Sequence, residues 1–159
     1  MKSLFDRKLR TNIGPMRLEY IQDCATLHST AFALGWSESE FTGLHHDRSV
    51  HIDCALPIDS GRILGFVVAR IVLDEAEILS LVIDQSARRS GIGQYLLAQH
   101  IDRINSKGVK SVFLEVADDN IVALRLYHRA GFVQIGERPG YYPRKTGSRT
   151  ALTMRLTIS

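Results

Sequence analysis

The residues of this chain whose types and spacing could do chemistry fall between positions 88 and 127: an arginine-led glycine turn, a glutamate, an asparagine and a tyrosine. The turn is Arg88-Arg89-Ser90-Gly91-Ile92-Gly93, set between an apolar, β-branched run at 78–83 and an apolar pattern at helical spacing. Two glycines two positions apart let the backbone curl until several N–H groups face one point. A helix that starts there leaves its first four N–H groups unpaired and carries partial positive charge. Strand, basic turn and helix N-terminus together make a cradle for a pyrophosphate. A P-loop would need Lys-Ser/Thr after its second glycine, but Gln94-Tyr95 follow Gly93. A dinucleotide fingerprint would need a third Gly or Ala at 96, where Leu96 stands. The plain alternative is a glycine-containing strand-to-helix turn that holds nothing.

What remains, Arg/Gln-x-x-Gly-x-Gly/Ala, resembles the acetyl-coenzyme A signature of the GNAT superfamily of N-acetyltransferases. Acetyl transfer from a thioester to an amine has three physical needs. The amine must be uncharged, the tetrahedral oxyanion needs donors, and the departing thiolate needs a proton. Glu115 lies in the apolar run 111–116, on the face opposite Val112, Leu114 and Val116. In a polar cleft it could take the amine proton, directly or through water; on an outer strand it would only be a solvated carboxylate. Asn120 and Tyr127, seven residues apart, lie within about 20° of one helical face and ~10 Å apart along the axis. That span suits one group anchoring a pantetheine arm while the other reaches its sulfur. A phenol with a pKa of about 10 is matched to a thiolate of similar basicity. Tyr127 could equally be a core-edge residue.

These groups need a scaffold, and periodicity supplies one. Residues 1–15 show little pattern, end in Gly14-Pro15, and read as a flexible extension ahead of a domain over 16–159. Residues 16–21 alternate like a first strand. Asp23 is placed to cap a helix through Leu27 and Phe32, and Ser37 or Ser39 a second through Phe41 and Leu44. Strands are expected at 50–56 and 62–73 around a hairpin turn, followed by the run that ends at Ile83. The helix after Gly91 carries Ile92, Leu96, Leu97, Ile101 and Ile104 on one face and is closed by Gly108. A strand at 110–116, a helix at 120–130, a strand at 132–138, a loop at 139–147 and a strand at 149–157 complete the chain. The order β-α-α-β-β-β-α-β-α-β-β predicts a single-domain α/β fold, one mixed central sheet with helices on both faces. That is also the GNAT order.

The resemblance sharpens at 115–132, Glu-Val-Ala-Asp-Asp-Asn-Ile-Val-Ala-Leu-Arg-Leu-Tyr-His-Arg-Ala-Gly-Phe. This segment is similar to the "LEVR-x-SN-xx-A-xx-LY-xx-x-GF" stretch of RimI-like protein N-terminal acetyltransferases. Tyr141-Tyr142-Pro143, Val72-Leu73-Asp74-Glu75-Ala76, and Ala31-Phe32 with Trp36-Ser37-Glu38 match further family motifs in the family's order. The resemblance implies Glu115 as general base and Tyr127 as general acid. It implies that Asn120, the turn residues Arg88, Arg89, Ser90, Gly91, Ile92 and Gly93, and the backbone of Leu81, Val82 and Ile83 hold acetyl-CoA. Trp36, Tyr141 and Tyr142 would surround the acceptor. The chain departs from the family in its residues 1–15, in Leu34-Gly35 where a proline precedes the tryptophan, in Arg88 for a common Gln, and in Ser80 for a frequent Asn.

Bulk properties narrow the setting. Apolar residues at 45% and charged residues at 23% describe a soluble globular protein, and no apolar run reaches membrane-spanning length. Cys24 and Cys54 form no metal spacing and no disulfide framework, which fits a reducing cytoplasm. Residues 1–84 carry 8 Lys/Arg against 12 Asp/Glu, and residues 85–159 carry 12 against 5, so the basic half begins at the phosphate turn. The basic residues are dispersed, as suits a polyphosphate ligand or an acidic docking surface. His45, His46 and His51 beside Asp53 and Cys54 lack regular ligand spacing, so no metal is expected. His100, in the middle of an apolar helical face, reads as a core histidine.

The expected function is transfer of acetyl from acetyl-CoA to the N-terminal α-amine of a protein, a ribosomal protein with N-terminal Ala being the first candidate. Direct attack in a ternary complex is expected. A monomer or weak homodimer, with no nucleic-acid or membrane contact, is the expected working form. Alternatives are a GNAT enzyme acting on a small-molecule amine, or a non-catalytic CoA-binding module.

Overall fold

Runs of β-branched and apolar residues broken by turns assemble into one seven-stranded sheet in the computed structural model, which describes residues 10–59, 61–144 and 147–159. The strands are β1 (Thr11–Pro15), β2 (Val50–Pro57), β3 (Gly65–Val72), β4 (Glu75–Ile83), β5 (Ser111–Ala117), β6 (Val133–Arg144) and β7 (Gly147–Thr157). The helices are α1 (Ile21–Ala31), α2 (Glu38–His46), α3 (Ile92–Asn105) and α4 (Ile121–Arg129). Across the sheet the order is β1-β2-β3-β4-β5-β7-β6, and β4–β5 is the parallel pair.

Helices cover both faces, as the element order predicts. On one face Ile92, Leu96, Leu97 and Ile104 of α3 and Tyr127 of α4 pack with Val67, Ala69, Val112, Leu114 and Val116. On the other, Cys24 and Leu27 of α1 and Phe41 of α2 pack with Ile52, Cys54, Phe66, Val68 and Val82. Each fully buried Leu, Ile or Phe contributes about 1.5–3 kcal/mol, so both layers are needed to hold the sheet. Among the described residues no helix is long and apolar enough to cross a membrane.

Two elements and one cap differ from the reading of the sequence; the cap is that of α1, where Tyr20 and not Asp23 is the N-cap, Asp23 lying in the first turn. The first strand is Thr11–Pro15, antiparallel to β2 with Ile13 opposite Ala55, so the end of the expected extension is an edge strand. Residues 18–20, expected to be strand, form a 3₁₀ turn that leads into α1. Gly14-Pro15 reads as a breaker, yet proline is tolerated on an edge strand because its missing N–H faces no partner. Residues 1–9 lie outside the described set. The expected loop at 139–147 is also different. Strand β6 continues to Arg144 and pairs Tyr142 with Arg149, taking up Pro139 and Gly140 (φ 71°) in an irregularity between Arg138 and Tyr142.

The sheet has two features that shape the site. Val68 pairs with Ser80 and Ala69 with Ile78, which leaves Leu79 as an extra residue in β4. This bulge moves the alternation by one: Ala76 and Ile78 face the α3 layer before it, Leu81 and Ile83 after it. Then β4 and β5 part. They pair only at 75–77 with 111–113, while β4 runs on to Ile83 beside β3 and β5 to Ala117 beside β7. A cleft opens where the two parallel strands end, the place where open α/β sheets bind ligands.

Candidate active site

One wall of the cleft is the free edge of β4. From 78 to 83 the main-chain groups of β4 that face β5 have no ladder partner there, so the N–H and C=O groups of Leu81 and Ile83 line the opening, while those of Val82 face β3. Ser80, opposite Val68, faces the α1 layer, and its buried hydroxyl has no hydrogen-bond partner among the described residues. Such an orphan is a place for a bound water or ligand.

Below the end of β4 the chain turns through 85–87 and enters α3 at Gly91. Asp84 starts this turn, accepting from the N–H and hydroxyl of Ser86 at 2.9 and 2.7 Å. Those bonds, with Arg62 and Arg88 nearby, hold its carboxyl below the usual range. Arg89 (φ 61°) and Gly91 (φ 81°) both adopt left-handed backbone, and the turn curls as the sequence implied. The first helical bond of α3 runs from Tyr95 N–H to Gly91 O, so the N–H groups of Ile92, Gly93 and Gln94 precede the ladder. Ser90 is 1% exposed; its hydroxyl donates to Ala87 O and accepts from Ile92 N–H at 3.4 Å. Its side chain therefore braces the turn, and only its main chain remains for a ligand. Arg88 reaches back to Ile83 O at 3.4 Å, and Arg89 is exposed. Gly91 is required by its backbone angle. Gly93 is not, since a Cβ there would meet Ile83 Cγ1 at 3.5 Å, ordinary contact.

Glu115 lies on β5 at the cleft, on the face away from α3 as alternation predicts, and is a quarter exposed. Its Oε1 is 2.9 Å from Arg138 Nη2 of β6. Tyr127 approaches from the opposite face. It is 8% exposed in the last turns of α4, its ring edge-on to Phe132 at 5.7 Å. Asn120 caps α4, accepting Ala123 N–H at 3.2 Å, so its amide nitrogen is what it can offer a ligand. The glutamate and tyrosine thus lie on opposite faces of the sheet, Tyr127 within the α3 layer.

The α1–α2 connection carries the predicted acceptor residue Trp36 on the α1 side of the sheet. Trp36 is half-buried and stacked on His28 at 4.4 Å, and Ser37 opens α2 with a capping box to Glu40. Tyr141 and Tyr142 belong to β6 by their backbone; their side chains lie outside the described residues.

Sequence reasoning missed three partners. Arg138 is 23 positions from Glu115 and meets it only through strand order. His28 carried no motif. His100 is more than a core histidine: its Nδ1 is 2.7 Å from Oδ2 of Asp53, which is 1% exposed. Arg103 Nε lies 3.1 Å from the other carboxylate oxygen, off the hydrogen-bonding direction, so that contact is electrostatic. This network ties α3 to β2 away from the cleft. His45, His46 and His51 do not converge: among the described residues no group of three His, Cys, Asp or Glu side chains could hold a metal ion.

The model of the acetyltransferase (GNAT) family matches residues 21–132. The ribosomal protein bS18-alanine N-acetyltransferase of Salmonella typhimurium is 35% identical over 133 residues, 84% of this chain and 88% of that one. The crystal structure of the ribosomal-protein-S18-alanine N-acetyltransferase from Escherichia coli superposes with a TM-score of 0.84 at 29% identity, covering 94% of each chain. Arabidopsis thaliana NAA60 in complex with acetyl-CoA shares the fold, with a TM-score of 0.82 at 19% identity over 93% of this chain and 98% of that one.

Proposed function

The chain belongs to the GNAT acetyltransferase family and is an acetyl-CoA-dependent N-acetyltransferase; from that premise we propose that its acceptor is the N-terminal α-amine of a protein in the cytoplasm, a ribosomal protein exposing alanine. The observation that carries the acceptor class is a likeness of 35% identity over 88% of the length of an enzyme named for that substrate.

In this reading the N–H groups of Gly93 and Gln94, with Arg88 and Arg89, hold the pyrophosphate of acetyl-CoA. The free edge of β4 at Leu81 and Ile83 hydrogen-bonds the pantetheine arm and the acetyl carbonyl, and the Asn120 amide steadies the arm. Trp36, Tyr141 and Tyr142 surround the acceptor. Glu115 takes the proton from the amine, directly or through water held near Ser80. The amine nitrogen bonds to the carbonyl carbon, the carbon–sulfur bond breaks, and Tyr127 gives its proton to the leaving thiolate. An α-amine with a pKa of about 8 reaches its neutral form some 10²-fold more readily near neutral pH than a lysine at about 10.4, so one carboxylate is an adequate base.

Attack is direct, without a cysteine intermediate. Cys24 and Cys54 are fully buried in the α1 layer, Sγ to Sγ at 3.9 Å. The hydrogen bond shared with Cys24 and burial push the Cys54 thiol far above its usual range, which leaves Cys54 no thiolate to act.

The deciding experiment is a mass-resolved assay with acetyl-CoA and three acceptors: a peptide beginning Ala-Arg, the same peptide N-blocked with an internal lysine, and a mixture of small amines. Acetyl on the free alanine amine alone is expected. Acetyl on the lysine or a small amine alone would overturn the acceptor assignment and leave the family assignment standing.

A further inference from the structure

Trp36 is the single tryptophan of the chain; Phe41 meets its ring edge-on at 5.6 Å, and His28 carries its face. His28, in the last turn of α1, is 4% exposed and stacks face to face on Trp36, centroids 4.4 Å apart and planes 11° from parallel. Phe32 stacks on it at 4.5 Å, and Phe41 and Phe66 close the cage at 6.0 and 6.3 Å. Within this cage the main-chain N–H of Trp36 donates to His28 Nδ1 at 2.9 Å. A ring nitrogen that accepts carries no proton, so His28 is neutral with its hydrogen on Nε2.

The connection between α1 and α2 is shaped to bring the indole there. A Cβ on Gly35 would lie 2.7 Å from Ser29 Cα, so only glycine lets 32–37 fold back this closely onto α1. After Trp36, Ser37 is locked by accepting from Glu40 N–H at 3.1 Å while its own N–H donates to Glu40 Oε2 at 2.7 Å. The chain is thus fixed on either side of Trp36, and the ring itself rests on His28.

We propose that neutral His28 is a positioning residue that holds Trp36 at the acceptor side of the cleft, so that acceptor binding weakens as the imidazole takes up a proton; this rests on Trp36 being an acceptor contact. A proton on Nδ1 would point at the Trp36 N–H, turning an acceptor into a second donor and breaking the bond. Burial pushes His28 below the ordinary imidazole value of 6.5, with Glu40 of α2 pulling the other way. The ring faces that pack on it from α1, α2 and β3 are those of uncharged phenylalanines, and Glu40 is the charged group acting on it among the described residues. The folded form therefore binds this proton less readily than the unfolded chain does. The docked geometry is at full strength above pH 6.5 and weakens as pH falls below it.

Trp36 supplies a readout that does not depend on turnover, because a protonated imidazole stacked on indole quenches its emission. Tryptophan fluorescence of the free enzyme is expected to fall along a single titration with its midpoint below 6.5. The titration should vanish in His28→Phe, which keeps a stacked ring but cannot accept or titrate. Over the same range, KM for the Ala-Arg peptide is expected to rise about tenfold more in the wild type than in His28→Phe, which cancels the peptide's own protonation. KM for acetyl-CoA should track equally in both. In His28→Gln, which keeps an acceptor for the Trp36 N–H, peptide KM at pH 7.5 should lie closer to wild type than in His28→Phe.

Flat fluorescence in the wild type, or the same titration in His28→Phe, would overturn the proposal whatever the enzyme acetylates. A fluorescence titration with no differential rise in peptide KM would also overturn it, by separating the ring from acceptor binding. If the peptide were not acetylated at all while the fluorescence still titrated, the acceptor reading of Trp36 would be what had failed.

Discussion

Arg138 reaches across β7 to place Nη2 2.9 Å from Glu115 Oε1. Glu115 stands opposite Thr153 and Arg138 opposite Ala151, so the ion pair spans a whole strand and fixes one carboxylate oxygen at the cleft. The ion pair engages that one oxygen, not both. With Arg138 more than half exposed, the pair adds little stability, and its value lies in aim.

Glu115→Gln is expected to lower kcat by about 10²–10⁴-fold, the usual worth of a general base, with KM for acetyl-CoA unchanged. Arg138→Ala should lower kcat by up to about 10²-fold through lost orientation, and Arg138→Lys should recover part of it. If Arg138 acts through the carboxylate, Arg138→Ala costs nothing further in the Glu115→Gln background. Additive losses in steady-state kinetics would show that the two residues serve separate steps.

Tyr127→Phe isolates the phenol. The ring is buried against Phe132, and phenylalanine keeps that edge contact, so thermal stability should change little. A loss of kcat of about 10² or more, with both KM values near wild type, is expected if the hydroxyl protonates the thiolate. The loss should shrink with an acyl donor whose leaving thiol is more acidic than coenzyme A, since that thiolate needs the proton less. An equal loss with both donors would assign Tyr127 to packing.

The two glycines of the turn at 88–93 should behave differently. Gly91 sits at φ 81°, where a side chain costs roughly 1–2 kcal/mol, and Gly91→Ala should lower the urea midpoint and raise KM for acetyl-CoA. Gly93 is inside α3, with ordinary space for a methyl beside Ile83. Gly93→Ala should hold or gain stability, by up to about 1 kcal/mol. Equal destabilisation by both would mean that the turn closes more tightly at Gly93 than its 3.5 Å contact indicates.

The contrast between these glycines marks how far sequence reading goes. Its success was local: the turn at 88–93, the helix starts expected at Ser37 or Ser39 and at 120, and the alternation that sets Glu115 on the face away from α3 are each written within a few residues. What it missed is non-local. Strand order brings Arg138 to Glu115, and a bulge at Leu79 that no alternation rule foresees turns Leu81 and Ile83 toward α3. Edge strand β1 was hidden because Gly14-Pro15 looks like a stop, though an edge has no partner for the proline to offend. His28 carried no signal at all, and His100 read as a core histidine. Only three-dimensional neighbours, an aromatic cage for one and a carboxylate for the other, separate them.

That carboxylate yields the last test. His100 is fully buried, and its Nδ1 meets Asp53 at 2.7 Å, 47 positions earlier in the chain. Removing one member of such a pair strands the other charge in the core, so His100→Ala should cost about 3–5 kcal/mol, seen as a fall in Tm of roughly 10 °C or more. Arg103 softens the loss only in part, since its contact with Asp53 is poorly aligned and it is itself a third exposed. Removing both partners is different: with Asp53→Ala and His100→Leu together, no buried charge is left unpaired, and much of the lost stability should return. Neither variant touches the cleft, so kcat per folded molecule should stay near wild type. A single-variant loss below about 1 kcal/mol would show that water already reaches this network.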